Sequence, residues 1–214
     1  MLSSSLNLLL ENAIIYMDEQ LNLLSIKEGL PGMHKDLCSH YYSACMTTLH
    51  RAGHIVNGTI LHLDGNRKGS IPLYWEDYFD ETIDRSWKEI NYCTDHAAVC
   101  MSCVLAIHET EFTIVERSCK GDGFDYWLGY KEDHLFNHAA RLEISGILKE
   151  SRTNTIEKRL KDKMKQTEQS DETCLPAYIS IIEFGKPNSC PQNSQFLCGI
   201  LRSSFIAICG IFFS

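Results

Sequence analysis

The sequence predicts a mixed α/β (α+β) domain, and three observations carry that prediction. A 3.6-period apolar stripe (Ile83, Trp87, Ile90, Thr94, Ala97, Met101, Leu105) predicts a long helix over 81–103. Short strand-like runs follow it: EFTIVERS at 111–118, FDYWLGY at 124–130 and RLEISGI at 141–147. A helix and then the continuous apolar run AYISIIEF at 177–184 close the series, the last reading as a central strand. The order over 81–184 is therefore helix, strand, strand, strand, helix, strand.

The remaining elements follow from local signals. Leu6, Leu9, Leu10, Ala13, Ile14 and Met17, extended by Leu21 and Leu24, predict a helix over 1–30 that Pro31-Gly32 ends. A second helix is expected over 34–54, closed near Gly53. NGTILHLD at 57–64 reads as a strand followed by a Gly65-Asn66 turn, and IPLYWEDYF as its hairpin partner or an irregular lead-in. Lys120 to Gly123 reads as a hairpin turn and 132–140 as a loop or one helical turn. The helix over 154–169 places Ile156, Leu160 and Met164 on one face, with Asn154 or Thr155 as its cap. The chain divides into a helical and hairpin cover (1–79), a core (80–186) and an apolar C-terminal tail (187–214).

Composition narrows the function classes. The 214 residues suit one domain, with 44% hydrophobic and 22% charged residues. A net charge of −8 excludes a polycation, so nucleic acid would have to meet a local basic patch. The ten cysteines show no regular spacing, and the N-terminus lacks a basic stretch before its apolar run. They read as reduced, mostly buried thiols in a cytoplasmic protein. The segment 196–214 approaches bilayer-spanning length, but Arg202 splits it. A tail, or a final strand or helix packed on the core, is the expectation, and a membrane partner is not.

The chemistry concentrates at 120–149. Asp125 lies between Phe124 and Tyr126-Trp127, and Glu143 between Leu142 and Ile144. A carboxylate amid apolar strand residues is costly unless it is paired, hydrogen-bonded or bound to a metal. Two on neighbouring strands suggest a cation between them. An edge strand whose polar face meets water is the plain alternative.

The order α-β-β-β-α-β, with an acidic residue on the second strand and Glu-x-Ser on the third, resembles the PD-(D/E)XK nuclease superfamily over 81–184. It is also similar to a group of bacterial proteins of undetermined activity that carry a GFDYWL strand followed by RLE-x-SGI. The resemblance implies a restriction-endonuclease-like core. Asp125 and Glu143 match the metal-binding carboxylates, the Ile144 backbone carbonyl a third oxygen ligand, and Asp95 an assisting acidic residue on the first helix. All-oxygen ligation of this kind suits Mg²⁺ or Mn²⁺.

The family's lysine is replaced by Ser145, which shares a strand face with Glu143. Its hydroxyl cannot supply the positive charge that orients a water. Lys131, Lys149 and, on the following helix, Lys161 and Lys165 are candidates for a displaced lysine. The resemblance thus implies a metal-dependent phosphodiesterase acting on DNA or RNA, in bacterial defence or a mobile element. The alternative is a catalytically inactive nuclease-fold scaffold or interaction protein with a protein partner. The oligomeric state is not legible.

Other constellations carry less. His134 and His138 have helical zinc spacing without a third ligand, and His50, His54 and Cys45 lack a fourth. Cys100-x-x-Cys103 lies inside the apolar stripe, where structural thiols are expected. The basic run Lys158, Arg159, Lys161, Lys163, Lys165 is diluted by Glu157, Asp162 and Glu168 and reads as a solvated face.

Overall fold

The apolar periodicities resolve into strands and helices in a computed structural model that describes residues 20–65 and 68–185, and the backbone of 199–208. In chain order these are β1 (Leu21–Asn22), α1 (Lys35–Ala52), β2 (Thr59–Asp64), β3 (Lys68–Tyr74), α2 (Glu81–Ser86) and α3 (Ile90–Glu109). Then follow β4 (Phe112–Arg117), β5 (Tyr126–Tyr130), β6 (Ala140–Ile147), α4 (Ile156–Thr167), β7 (Ala177–Glu183) and β8 (Gly199–Ile208). Short 3₁₀ segments cover Leu23–Glu28 and Glu168–Thr173.

The strands form one mixed sheet in the order β1-β3-β2-β8-β7-β6-β5-β4. β4, β5 and β6 make an antiparallel meander, and β6 runs parallel to β7 through the crossover helix α4. β8 pairs antiparallel with β7 and parallel with β2, which joins the two halves of the sheet. The expected final strand thus exists as backbone; the rest of the 187–214 segment lies outside the described residues.

Helices α1 and α3 cover one sheet face and α4 the other, as the alternation of the central strands requires. Leu142, Ile144, Ile182 and Phe184 join α1 and α3 in the larger core cluster. Ile147, Ile179 and Ile181 pack with Ile156 and Leu160 of α4 in a smaller one. Helix α3 is long and apolar enough by composition to cross a membrane, yet most of its apolar residues are buried within this core. Cys38, Cys45, Cys93, Cys100 and Cys103 are buried free thiols, and burial pushes Cys100 and Cys103 well above the ordinary thiol range.

Two expected helices are corrected. The stripe over 81–103 is two helices, because Trp87 leaves helical geometry (φ −111°, ψ 41°) and Glu89 starts a new one. The Glu89 carboxylate accepts from Asn91 N–H at 3.1 Å and from Tyr92 N–H, so α3 has its own cap. The helix expected over 1–30 does not extend through 20–30. Leu21 lies in β1, and Leu24 in a 3₁₀ turn that Asn22 caps and Gly29 (φ 88°) ends. Residues 1–19 of that expectation lie outside the described residues.

A candidate metal and phosphate pocket

Strand β5 begins only at Tyr126, and the pocket occupies the edge of β6 left unpaired before it. Asp125, the residue before β5, bonds by its N–H to the Leu142 carbonyl at 2.9 Å. At the next ladder position its side chain replaces backbone, with Oδ2 accepting from Ile144 N–H at 2.8 Å. Beyond that point β6 has no β5 partner. The N–H and C=O of one strand residue point the same way, so the Ile144 carbonyl faces the vacated edge. A cavity of about 280 Å³ opens there, lined by Asp95 and Val99 of α3, Asp125, Ile144, Ser145 and Gly146 of the sheet, and Arg159 and Lys163 of α4.

Glu143 lies beneath this cavity, 1% exposed, on the sheet face that α4 covers. Its Oε1 accepts from Lys163 Nζ and from Gln166 Nε2 at 3.0 Å, and Lys163 also donates to Gln166 Oε1 at 3.1 Å. Its Oε2 is buried with no hydrogen-bond partner among the described residues. Burial first, and the neighbouring Asp125 carboxylate second, push Glu143 up to about 7 against the opposing pull of Lys163. Asp125 is raised as well, by burial first, with the Ile144 N–H and Lys163 opposing. Asp95 lines the far wall; partial burial of its carboxylate raises it, and Arg159 and Lys163 oppose.

The orientation of α4 follows from two anchors. Thr155 caps it by accepting from Lys158 N–H at 3.2 Å. At its far end the buried Arg141 of β6 donates to the Thr167 and Leu175 carbonyls and to Ser170 Oγ. Helix α4 therefore lays Ile156, Arg159, Leu160, Lys163 and Gln166 against the sheet.

Asp95, Asp125, Glu143, Ile144 and Ser145, all marked out by the sequence, come together here. Lys161 and Lys165 do not: both are exposed and neither lines the cavity. Lys131 donates to the Ile107 and Thr110 carbonyls at the end of α3, at 2.6 and 2.7 Å. Lys149 lines a different, apolar pocket. The cations at the site are Lys163 and Arg159, from the run read as a solvated face. Their signal was their spacing of three from Ile156 and Leu160, which puts them beside the two partly buried apolar residues of α4 that pack on the sheet.

The other constellations are accounted for differently. His138 stacks on Trp127 at 4.1 Å and bonds Glu116. His50 bonds Asp77, and His54 the Phe184 carbonyl. Among the described residues no three His, Cys, Asp or Glu side chains converge as a metal-holding group. A cation here would instead rest on Asp125, Glu143 and the Ile144 carbonyl. The partnerless Glu143 Oε2 and this set of hard oxygens fit Mg²⁺ or Mn²⁺.

No family model, curated protein or solved structure matches the chain.

Proposed function

We propose that the protein is a metal-dependent phosphodiesterase acting on nucleic acid, built on a PD-(D/E)XK-like core. The observation that carries this reading is Lys163 reaching Glu143 from helix α4, beside Asp125. The charge absent from position 145 is thereby supplied from a neighbouring element. The element order across α3 to β7 and the β4-β5-β6 meander running into a parallel β7 support the same reading.

In this account Asp125, Glu143 and the Ile144 carbonyl hold the divalent ion, and Asp95 contributes charge from the facing wall. The bound ion would lower the pKa of a water and stabilise charge on the phosphate. Lys163 favours the charged form of Glu143 against the burial that raises it, and places an ammonium where the attacking water is oriented. Gln166 fixes both partners by bonding each. The depth of Glu143 keeps bulk water from screening this pair.

The test is cleavage of labelled single- and double-stranded DNA and RNA in Mg²⁺ or Mn²⁺. Wild type is expected to cut at least one of them, and folded Asp125→Asn to fall to background. Equal cutting by both overturns the assignment. No cutting by the wild type selects the scaffold or interaction protein instead.

A further inference from the structure

Arg159 is a cation of the pocket that makes no direct ion pair among the described residues; Asp95 on the facing wall feels its charge only across the cavity. Its Nε donates to Asn154 Oδ1 at 2.7 Å and its Nη1 to Ser145 Oγ at 3.2 Å, so two neutral oxygens fix the guanidinium plane. Lys163, one turn later, is engaged by Glu143. Among the described residues no carboxylate lies within ion-pair distance of Arg159. A half-buried cation facing a cavity loses hydration without return unless an anion joins it.

The neighbouring donor completes the arrangement. Ser145 accepts from Arg159, so its own hydroxyl proton is left to donate elsewhere. Nη2 of Arg159 has no hydrogen-bond partner among the described residues. An N–H and an O–H donor side by side on a rigid fork suit phosphate oxygens, which arginine recognises better than lysine does. Asp95 and Asp125 line the same cavity and repel an anion, which confines it to the α4 wall.

Resting on the nuclease reading above, we propose that Arg159 and Ser145 anchor the terminal phosphate of a nucleic-acid strand, so that the pocket works on strand ends. At about 280 Å³, between α3 and α4, the cavity is small for a ligand site and accommodates one nucleotide unit rather than a passing duplex. A terminal phosphate monoester carries roughly −1.5 to −2 charge near neutrality and three acceptor oxygens. An internal diester carries less charge and offers fewer oxygens to the two donors. Ser145, in place of the motif lysine, thus acts as a positioning residue for Arg159 as well as a ligand to the phosphate.

The test uses the full chain in Ca²⁺, to hold substrates uncut, with oligonucleotides that are 5′-phosphorylated, 3′-phosphorylated, hydroxyl-ended or circular. One phosphorylated form is expected to bind roughly 10- to 100-fold more tightly than the hydroxyl-ended strand, the size of a charge-assisted contact. Arg159→Met, checked for folding by its melting transition, should abolish the difference, and Ser145→Ala should reduce it. The metal-free wild type should also bind inorganic phosphate, and Arg159→Met should not. Equal binding of phosphorylated, hydroxyl-ended and circular strands overturns the anchor. Mg²⁺-dependent cutting of the circle in the same preparation would leave the nuclease reading standing. Phosphate-selective binding without cutting in any metal would keep the anchor and remove the nuclease.

Discussion

Lys163 donates to Oε1 of Glu143 across the layer between α4 and β6, 20 residues along the chain. Glu143 is 1% exposed, so this ammonium is the charge that makes an ionised carboxylate tolerable at that depth. The contact ties the fold to the site, because the crossover helix that completes the parallel β6-β7 pair also delivers the cation.

Replacing Lys163 should therefore disable the site, with Glu143, already raised to about 7, taking up a proton so that no bare charge is left buried. Lys163→Met is expected to lower metal-dependent cleavage by roughly 100-fold or more, the scale of a positioned acid–base group. Lys161→Met, on the exposed face, should cut like wild type. Single-turnover rates for the two variants check this, and equal losses would contradict the placement of Lys163.

The metal-free protein should lose stability as pH rises through neutrality. Glu143 is held at about 7 in the fold against 4.5 for an ordinary Glu, so the folded state binds its proton more tightly than the unfolded one. The stabilisation is complete below pH 4.5 and is lost as pH climbs through about 7. Asp125, also raised, contributes in the same direction. Melting of wild type and Glu143→Gln between about pH 5 and pH 8 tests this: the variant should show the shallower decline. Parallel curves would contradict it.

Gly146 sets how closely α3 approaches β6. A Cβ there would stand 2.7 Å from the Thr94 carbonyl oxygen, a backbone atom with no freedom to step aside. Gly146→Ala should cost roughly 1–3 kcal/mol in denaturant unfolding and push Asp95, the next residue, away from the pocket. An unchanged unfolding midpoint would contradict this close contact.

The carboxylate pair was legible in the sequence because burying charge is expensive wherever it occurs. Asp125 and Glu143 stood out among apolar neighbours, and the hairpin order placed them on adjacent strands. The cations were not legible. Ile156, Leu160 and Met164 suggested an inner face of α4 that excluded every lysine, yet Met164 is 41% exposed. The true inner face mixes Ile156 and Leu160 with Arg159, Lys163 and Gln166, because it covers a charged strand segment instead of a purely apolar one. Apolar periodicity finds the faces of helices that bury only hydrocarbon, and it misreads one that buries a salt bridge. The break at Trp87 was hidden for a related reason: the stripe continues across it, and only the Glu89 cap marks the new start.

In the proposed function Asp125 and Glu143 hold a divalent cation. Calorimetric titration of Mn²⁺ into wild type and the Asp125→Asn, Glu143→Gln double variant tests it most directly. One saturable site in the wild type that is absent from the folded double variant is the predicted result. Equal binding by both proteins, or none by the wild type, would contradict it.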